Sequence, residues 1–336
     1  MDSLLGCFFP STVVGVDDDV NFLRSLEEIL KDCSVTFKGF SDPLVALEYV
    51  NEGCNKELDF SKLIRTTPYH DYDTPVVFDF SRLYSEVFNP DRFSIISAIL
   101  LDYSMPGLDG INFSRKVNNP SIRKTFLTGV GDDKVAISSF NNGYIHRFLK
   151  KNSVNLPEEV KKAVRHSING YFSDYTRNLI SFLPRNKKIA LKDPVFANFF
   201  HNECLDRSYV EYYLLNTSGS YLFLTAEGHI SLLSVLTESN IESLIDFGIN
   251  SGEISDEVLN SLQSRNYILS WHDTTNEILS VSRWGEYLRP ARRLDGYQTY
   301  YFSFEENPKL DIDFSQVRSF MRYRSSTVRY QQGLIA

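Results

Sequence analysis

Apolar and polar positions change in blocks along the first 155 residues, and these blocks predict strands and helices in turn. Short runs rich in Val, Ile, Leu and Phe are typical of buried parallel strands, whereas apolar residues three and four positions apart predict amphipathic helices. The predicted strands cover 12–16, 33–40, 93–101, 124–129 and 144–151, and the predicted helices cover 20–32, 41–50, 111–117, 133–143 and 156–184. This alternation predicts an α/β fold, a doubly wound, five-stranded parallel sheet of the flavodoxin-like type.

Charged and hydroxyl side chains stand where these strands end. They are Asp17 and Asp18 after the first strand, Asp102 in "LLDYSMPGLDG" after the third, Thr128 after the fourth, and Lys150 and Lys151 after the fifth. Ligands of doubly wound sheets bind at the carboxyl ends of the strands, so we expect these groups to share one crevice. Three close carboxylates require a cation or a raised pKa. An all-oxygen site of this kind favours Mg²⁺.

Each of these features, taken singly, also has a structural explanation. Three aspartates before a helix are typical of an N-cap, "DYSMPGLDG" is typical of a turn, and two terminal lysines are typical of a solvated strand edge. The functional interpretation therefore depends on finding all of them in order on one chain.

The ordered motifs "VVGVDDD", "LLDYSMPGLDG", "FLTG" and "FLKK" resemble the receiver domain of two-component response regulators, over about residues 10–155. The resemblance implies that Asp102 accepts a phosphoryl group from a histidine kinase or phosphotransfer protein. It implies that Mg²⁺ is held by Asp17, Asp18, Asp102 and the carbonyl of Ser104, that Thr128 and Lys151 bind the phosphoryl oxygens, and that Phe148 is the aromatic switch residue. Because receivers commonly pair when phosphorylated, it also implies a homodimer.

Two departures from the receiver pattern affect these expectations. The family usually has proline after the lysine, whereas Asn152 follows Lys151 here, so Lys150 stays an alternative for the working lysine. The distance from Asp18 to Asp102 is 84 positions, about twice what the fold needs. The excess at about 51–92 leaves one helix and enters the next strand at the sheet end opposite the crevice, so we assign it no catalytic part.

The pattern changes in the second half of the chain. Residues 156–184 predict the fifth receiver helix continued as a linker helix, and 185–336 predict a separate α+β output domain with an antiparallel meander. The predicted boundaries are therefore 1–155 for the receiver, 156–184 for the helix and 185–336 for the output domain. No signature of a cyclic-dinucleotide enzyme, metal-spaced cluster or phosphate-binding glycine loop occurs in the output domain, which argues against an enzyme.

Interaction with a protein or a ligand is therefore the expected output. This half loosely resembles poorly characterised output domains of proteobacterial response regulators, which suggests a role in quorum-sensing regulation. The alternative is a transcription factor that binds DNA through this domain or through the basic tail at 318–330. Acids outnumber bases across 155–336, 22 against 19, which disfavours DNA binding.

Composition adds the cellular setting. A length of 336 residues suits about two domains. The net charge of −8 gives no sign of a basic nucleic-acid binder. Four scattered cysteines without a CxxC pair predict free thiols in a reducing compartment. Because no segment has the length of a membrane span or the pattern of a secretion signal, we expect a cytoplasmic protein.

Overall fold

The structure is a computed structural model that describes residues 4–53, 64–65, 77–78, 85–129, 133–182, 190–271, 279–308 and 316–332. The strands are β1 (Cys7–Phe8), β2 (Thr12–Val16), β3 (Thr36–Phe40), β4 (Ile64–Arg65), β5 (Val77–Phe78), β6 (Ile96–Asp102), β7 (Arg123–Thr128), β8 (Arg147–Lys150), β9 (Tyr209–Leu214), β10 (Tyr221–Thr225), β11 (Ile230–Thr237), β12 (Tyr267–Leu269), β13 (Leu288–Pro290), β14 (Arg292–Asp295) and β15 (Thr299–Glu306). The α-helices are α1 (Val20–Leu30), α2 (Pro43–Gly53), α3 (Gly110–Lys116), α4 (Asp133–Asn141), α5 (Leu156–Phe182), α6 (Pro194–Asp206), α7 (Glu238–Ser251), α8 (Asp256–Gln263) and α9 (Phe320–Gln332).

The chain forms two compact units, and each unit is built from three segments. The parallel-sheet unit contains Phe9–Asp59, Pro90–Asn178 and Tyr323–Ala336. The antiparallel-sheet unit contains Met1–Phe8, Phe60–Asn89 and Leu179–Arg322. The domain boundaries inferred from the sequence, with the receiver ending at 155 and the output domain starting at 185, stay a prediction.

The parallel-sheet unit has the predicted fold. Its five strands lie in the order β3-β2-β6-β7-β8, and every neighbouring pair is parallel. Every residue of β2 and β6 is buried, because these strands lie inside the sheet between helices. The register pairs Val16 with Leu101, so the residues that follow β2 and end β6 come side by side. This register is what builds a site at the sheet edge.

Of the three consecutive aspartates, the third caps helix α1. Asp19 is the N-cap, and its side chain accepts hydrogen bonds from the backbone N–H groups of Asn21 and Phe22, at 2.9 and 3.3 Å. The helix then buries one apolar stripe, Leu23, Leu26 and Leu30, against the sheet. The capping explanation therefore applies to Asp19.

The antiparallel-sheet unit contains the predicted α+β arrangement. Its six-stranded sheet has the order β1-β9-β10-β11-β15-β14, and β9, β10 and β11 form the predicted meander. Aromatic rings fill its core, where Phe200 on α6 contacts Tyr212, Tyr221 and Phe223 of the sheet. Strand β1 covers one edge of this sheet by pairing with β9. Two residues are too short to show a strand pattern in the sequence.

Shorter elements complete the antiparallel-sheet unit. A 3-10 helix, Val281–Tyr287, comes before β13 and β14. Helix α6 is capped by Asp193 and begins at Pro194, a residue suited to the first turn of a helix. Of the insertion at 51–92, the structure describes 51–53, the antiparallel pair β4–β5 and 85–92. The rest of it lies outside the described residues, as does the segment 183–189.

Two further expectations concern the whole chain. Among the described residues no helix combines the length and the apolar character that crossing a membrane requires. Cys7, Cys33 and Cys204 are free thiols, as expected, and Cys54 lies outside the described part of the chain.

The basic tail at 318–330 is part of a folded element. Its Tyr323 belongs to the parallel-sheet unit, is 8% exposed, and packs against the fully buried ring of Phe93 with the ring centroids 5.3 Å apart. Arg324, the next residue, donates a hydrogen bond to the carbonyl of Lys31 at the end of α1, where a positive charge also suits the helix dipole. Tyr323 and Arg324 therefore attach the tail to the parallel-sheet unit.

We expect Tyr323→Ala to destabilise the protein by about 3 kcal/mol, because the substitution removes a buried ring and leaves a cavity beside Phe93. Urea unfolding followed by circular dichroism measures this change. Met321→Ala is the matched control, since Met321 lies on the same helix and is 50% exposed. Its cost should stay within about 0.5 kcal/mol. Equal losses in the two variants would contradict the packing of Tyr323.

Candidate functional site

Three carboxylates converge at the carboxyl ends of β2 and β6. One oxygen from each of Asp17, Asp18 and Asp102 lies within 4.8 Å of the others. Asp17 is fully buried, Asp102 is 6% exposed, and Asp18 faces solvent. The parallel register of the two strands produces this convergence, because Val16 and Leu101 are paired neighbours just before Asp17 and Asp102.

A lysine just after the edge strand β8 completes the cluster. The Nζ atom of Lys151 lies 2.7 Å from Oδ2 of Asp17 and 3.0 Å from Oδ1 of Asp102. The backbone N–H of Lys151 donates to the carbonyl of Thr128 at 2.9 Å, which fixes the position of the chain just after β8. Lys150 is paired with Thr128 in the sheet and is exposed. The structure thus places Lys151 on the carboxylates, while the choice of working lysine stays a prediction.

Burial and charge act on the titration of these groups. Burial raises the pKa of the Asp102 carboxyl, and the charge of Asp17 adds to the rise, although the hydrogen bond and charge of Lys151 oppose it. For Lys151, burial alone would lower the pKa of the ammonium. The hydrogen bonds and charges of Asp17 and Asp102 outweigh that effect and raise the pKa. The ammonium therefore stays charged, and the ionised form of Asp102 is disfavoured by its surroundings.

The other predicted site residues lie on β7, on β8 and in the turn after β6. Thr128 is fully buried at the end of β7, and its Oγ1 donates to the carbonyl of Leu149 at 3.2 Å. Phe148 is half-buried on β8 and pairs in the sheet with Phe126. Ser104 is exposed in the turn that follows Asp102. The structure places all three on the strands and turn expected, and their roles stay predictions.

Two residues of the site had no separate signal in the sequence. Phe22, one of the apolar positions of α1, has its ring centroid 4.9 Å from the Nζ atom of Lys151. At Gly110, an added Cβ would lie 2.7 Å from the backbone oxygen of Asp102 and 3.1 Å from the Cα atom of Tyr103. The "DG" dipeptide indicates a turn, but only the fold reveals that a side chain at 110 would press on the turn after Asp102.

The donor set fits a small divalent cation. Carboxylate oxygens are the ligands that Mg²⁺ prefers, and ligands of one Mg²⁺ ion stand about 3–4 Å apart, given metal–oxygen distances of about 2.1 Å. In this structure one oxygen from each carboxylate lies within 4.8 Å of the other two, so small side-chain adjustments would bring them to that spacing. The cluster has three carboxylates and one ammonium, which leaves excess negative charge. Because two of the carboxylates are buried, this excess is costly, and a cation would offset it.

Comparison with solved structures identifies the family. The structure of the Legionella pneumophila response regulator LqsR is 30% identical in sequence, with a TM-score of 0.77, and the match covers 96% of this chain and 96% of that one. This chain belongs to the two-component response regulators. The match includes the C-terminal half, so the resemblance of that half to output domains of proteobacterial regulators is confirmed.

Other solved structures match about half of this response regulator. A receiver domain protein from Clostridium thermocellum is 19% identical, covering 47% of this chain and 94% of that chain, with a TM-score of 0.34. An adenylate cyclase from Rhodopirellula baltica is 20% identical, covering 51% of this chain and 96% of that chain, with a TM-score of 0.35. No protein-family model matches the sequence, and no curated protein matches it.

We expect Asp102→Asn to raise the melting temperature at neutral pH. The raised pKa of Asp102 means that its ionisation destabilises the folded state, so a neutral amide relieves that cost. The gain should shrink as the pH falls through the raised pKa, because the wild-type carboxyl then takes up a proton in the folded state.

Thermal scans over a pH series, without divalent cations, measure this difference. Asp246→Asn is the control, since Asp246 is an exposed acid on α7 and should leave the melting temperature nearly unchanged at every pH. A lower melting temperature for Asp102→Asn at neutral pH would contradict the expected sign.

Proposed function

We propose that this response regulator takes a phosphoryl group from a histidine kinase or phosphotransfer protein onto Asp102, in the cytoplasm, and that Mg²⁺ is required. The observation that supports the proposal is the meeting of Asp17, Asp18, Asp102 and Lys151 in one crevice. A carboxylate is a weak nucleophile, so positioning and charge neutralisation must supply most of the catalysis. This crevice has the groups for both tasks.

The chain's own residues would act as follows. A carboxylate oxygen of Asp102 forms a bond to phosphorus, while the bond between phosphorus and the donor's imidazole nitrogen breaks and the imidazole leaves with the electron pair. Lys151, which already lies 3.0 Å from Asp102, moves its ammonium onto the new phosphoryl oxygens. Mg²⁺, held by Asp17, Asp18, Asp102 and the Ser104 carbonyl, would supply further neutralisation of the phosphoryl charge.

The phosphorylated state would be read at the neighbouring strands. Thr128 donates its hydroxyl to the carbonyl of Leu149, so binding a phosphoryl oxygen requires this hydroxyl to rotate away from β8. Phe148 precedes Leu149 on that strand and is half-buried, which allows its ring to change position when Thr128 moves. A phosphoryl group carries about two negative charges, enough to bias α4, β8 and α5 toward one arrangement.

We expect acetyl phosphate with Mg²⁺ to phosphorylate the wild-type protein, and Asp102→Asn to stay unmodified. Intact-protein mass spectrometry detects the phosphoryl group, and removal of Mg²⁺ by EDTA should prevent its addition. Lys151→Ala should slow the reaction by about 10- to 100-fold, because the ammonium no longer stabilises the transferring group.

The adjacent lysine provides the control for that reaction. Lys150→Ala should keep nearly the wild-type rate, because Lys150 is exposed and Lys151 holds the carboxylates. A large loss in Lys150→Ala together with none in Lys151→Ala would reverse the assignment of the two lysines. A phosphoryl group retained by Asp102→Asn would remove the proposed acceptor.

For the output half we propose interaction with a protein or a ligand, in quorum-sensing regulation. The alternative, a transcription factor that uses the basic tail, assigns base stacking to the tail's aromatic rings. Phe320 and Tyr323 are 3% and 8% exposed, so neither ring is available to a base. Arg324 donates to the carbonyl of Lys31. Three of the tail residues suited to nucleic acid are therefore used inside the protein.

Phosphorylation is also expected to shift this regulator toward a homodimer. Ile137 and Phe140 on α4 are each 52% exposed, which leaves apolar surface on the face that the switch would rearrange. Size-exclusion chromatography with light scattering, with and without acetyl phosphate, measures the shift. Phe140→Glu should prevent it, whereas Leu205→Glu, an exposed position on α6, should not. An unchanged mass on phosphorylation would exclude the dimer step.

A further inference from the structure

An aromatic ring lies beside the crevice, and the Lys151 ammonium lies over the face of this ring. The ring centroid of Phe22 is 4.9 Å from Nζ, within the distance at which a cation is attracted to a ring face. The same ammonium contacts Asp17 at 2.7 Å and Asp102 at 3.0 Å. Lys151 thus has two carboxylate partners and one aromatic partner.

The backbone fixes both members of this cation–π pair. Phe22 lies in the first turn of α1, and its N–H is held by the N-cap side chain of Asp19. Lys151 is held by the hydrogen bond from its N–H to the carbonyl of Thr128. Neither backbone has to move for ring and ammonium to meet, so the pair does not depend on one favourable loop conformation.

The lysine side chain itself is flexible and partly exposed. Four methylene groups carry the Lys151 ammonium, and its side chain is 24% exposed, so water competes for the charge. The half-buried ring of Phe22 is an uncharged partner for the ammonium, so it does not repel the incoming phosphoryl group as a carboxylate does. A carboxylate that holds the ammonium must give it up when the phosphoryl group arrives, whereas the ring can keep its contact.

We propose that Phe22 is a positioning residue that keeps the Lys151 ammonium over the crevice, ready for the phosphoryl oxygens. The inference rests on the proposed phosphorylation of Asp102 and adds a residue to it. Phe22 does not touch the reacting atoms and acts only through Lys151.

Substitution of Phe22 in the full-length protein tests the proposal directly. Phe22→Leu keeps an apolar side chain but removes the ring, and should slow phosphorylation by acetyl phosphate by about two- to fivefold. Phe22→Tyr keeps the ring, so its phosphorylation rate should equal that of the wild-type protein. Phe40→Leu is the matched control, since Phe40 is a half-buried ring near the same sheet edge that contacts Tyr49, and its rate should not change.

A double-mutant cycle separates positioning from simple packing. In a Lys151→Ala background, Phe22→Leu should add no further loss of rate, because the ring then has no ammonium to hold. The same cycle measured by melting temperature should show coupling between positions 22 and 151 even without phosphorylation. A wild-type rate in Phe22→Leu, or an undiminished loss in the Lys151→Ala background, would overturn the inference.

The two proposals fail in different ways. If the wild-type protein takes up no phosphoryl group, the proposed function fails. The double-mutant cycle measured by melting temperature then still decides whether Phe22 and Lys151 interact. If wild-type protein is phosphorylated but the cycle shows no coupling by rate or by melting temperature, only the role of Phe22 is wrong.

Discussion

The Lys151 ammonium lies between two carboxylates that the fold has removed from water, and the crevice depends on this balance of charge. Asp17 is fully buried and Asp102 nearly so, since each adjoins an interior strand of the parallel sheet. Two buried anions side by side would be strongly unfavourable without a cation. Lys151 supplies one positive charge, which leaves negative charge uncompensated once Asp18 is included. A site with that excess is suited to receive both a divalent cation and a charged group that the cation screens.

Several local features serve this arrangement of charge. Asp19 caps α1, so the helix begins without using the Asp17 side chain as its cap. Glycine at 110 lets α3 begin close to the backbone of Asp102 and Tyr103, and the N–H of Gly110 donates to the carbonyl of Tyr103 at 3.0 Å. The ordinary requirements of capping and close packing are thus met by residues next to the site. Its carboxylates remain close to one another and to the Lys151 ammonium.

Each of the two compact units combines segments from different parts of the chain. The N-terminal strand Cys7–Phe8 completes a sheet otherwise formed by strands from residue 209 onward, and the C-terminal segment from Tyr323 packs in the parallel-sheet unit. Each unit therefore needs segments that are distant in sequence. A buried carboxylate adds to the order within the antiparallel-sheet unit: Asp193 caps α6 and accepts a hydrogen bond from the hydroxyl of Tyr300 at 2.9 Å.

The sequence by itself determined the parallel fold and the identity of the crevice residues. Buried strands, amphipathic helices and strand-end acids are local patterns. Because parallel strands bring their carboxyl ends to one edge, the sequence placed Asp17, Asp102 and the pair Lys150–Lys151 near one another. Tertiary structure alone decided that the Nζ atom of Lys151 contacts the carboxylates, because the chain just after β8 is fixed by the hydrogen bond from the Lys151 N–H to the carbonyl of Thr128. It alone placed Phe22 on the ammonium and β1 in the second sheet. Those contacts join residues far apart in the chain, and no local pattern encodes them.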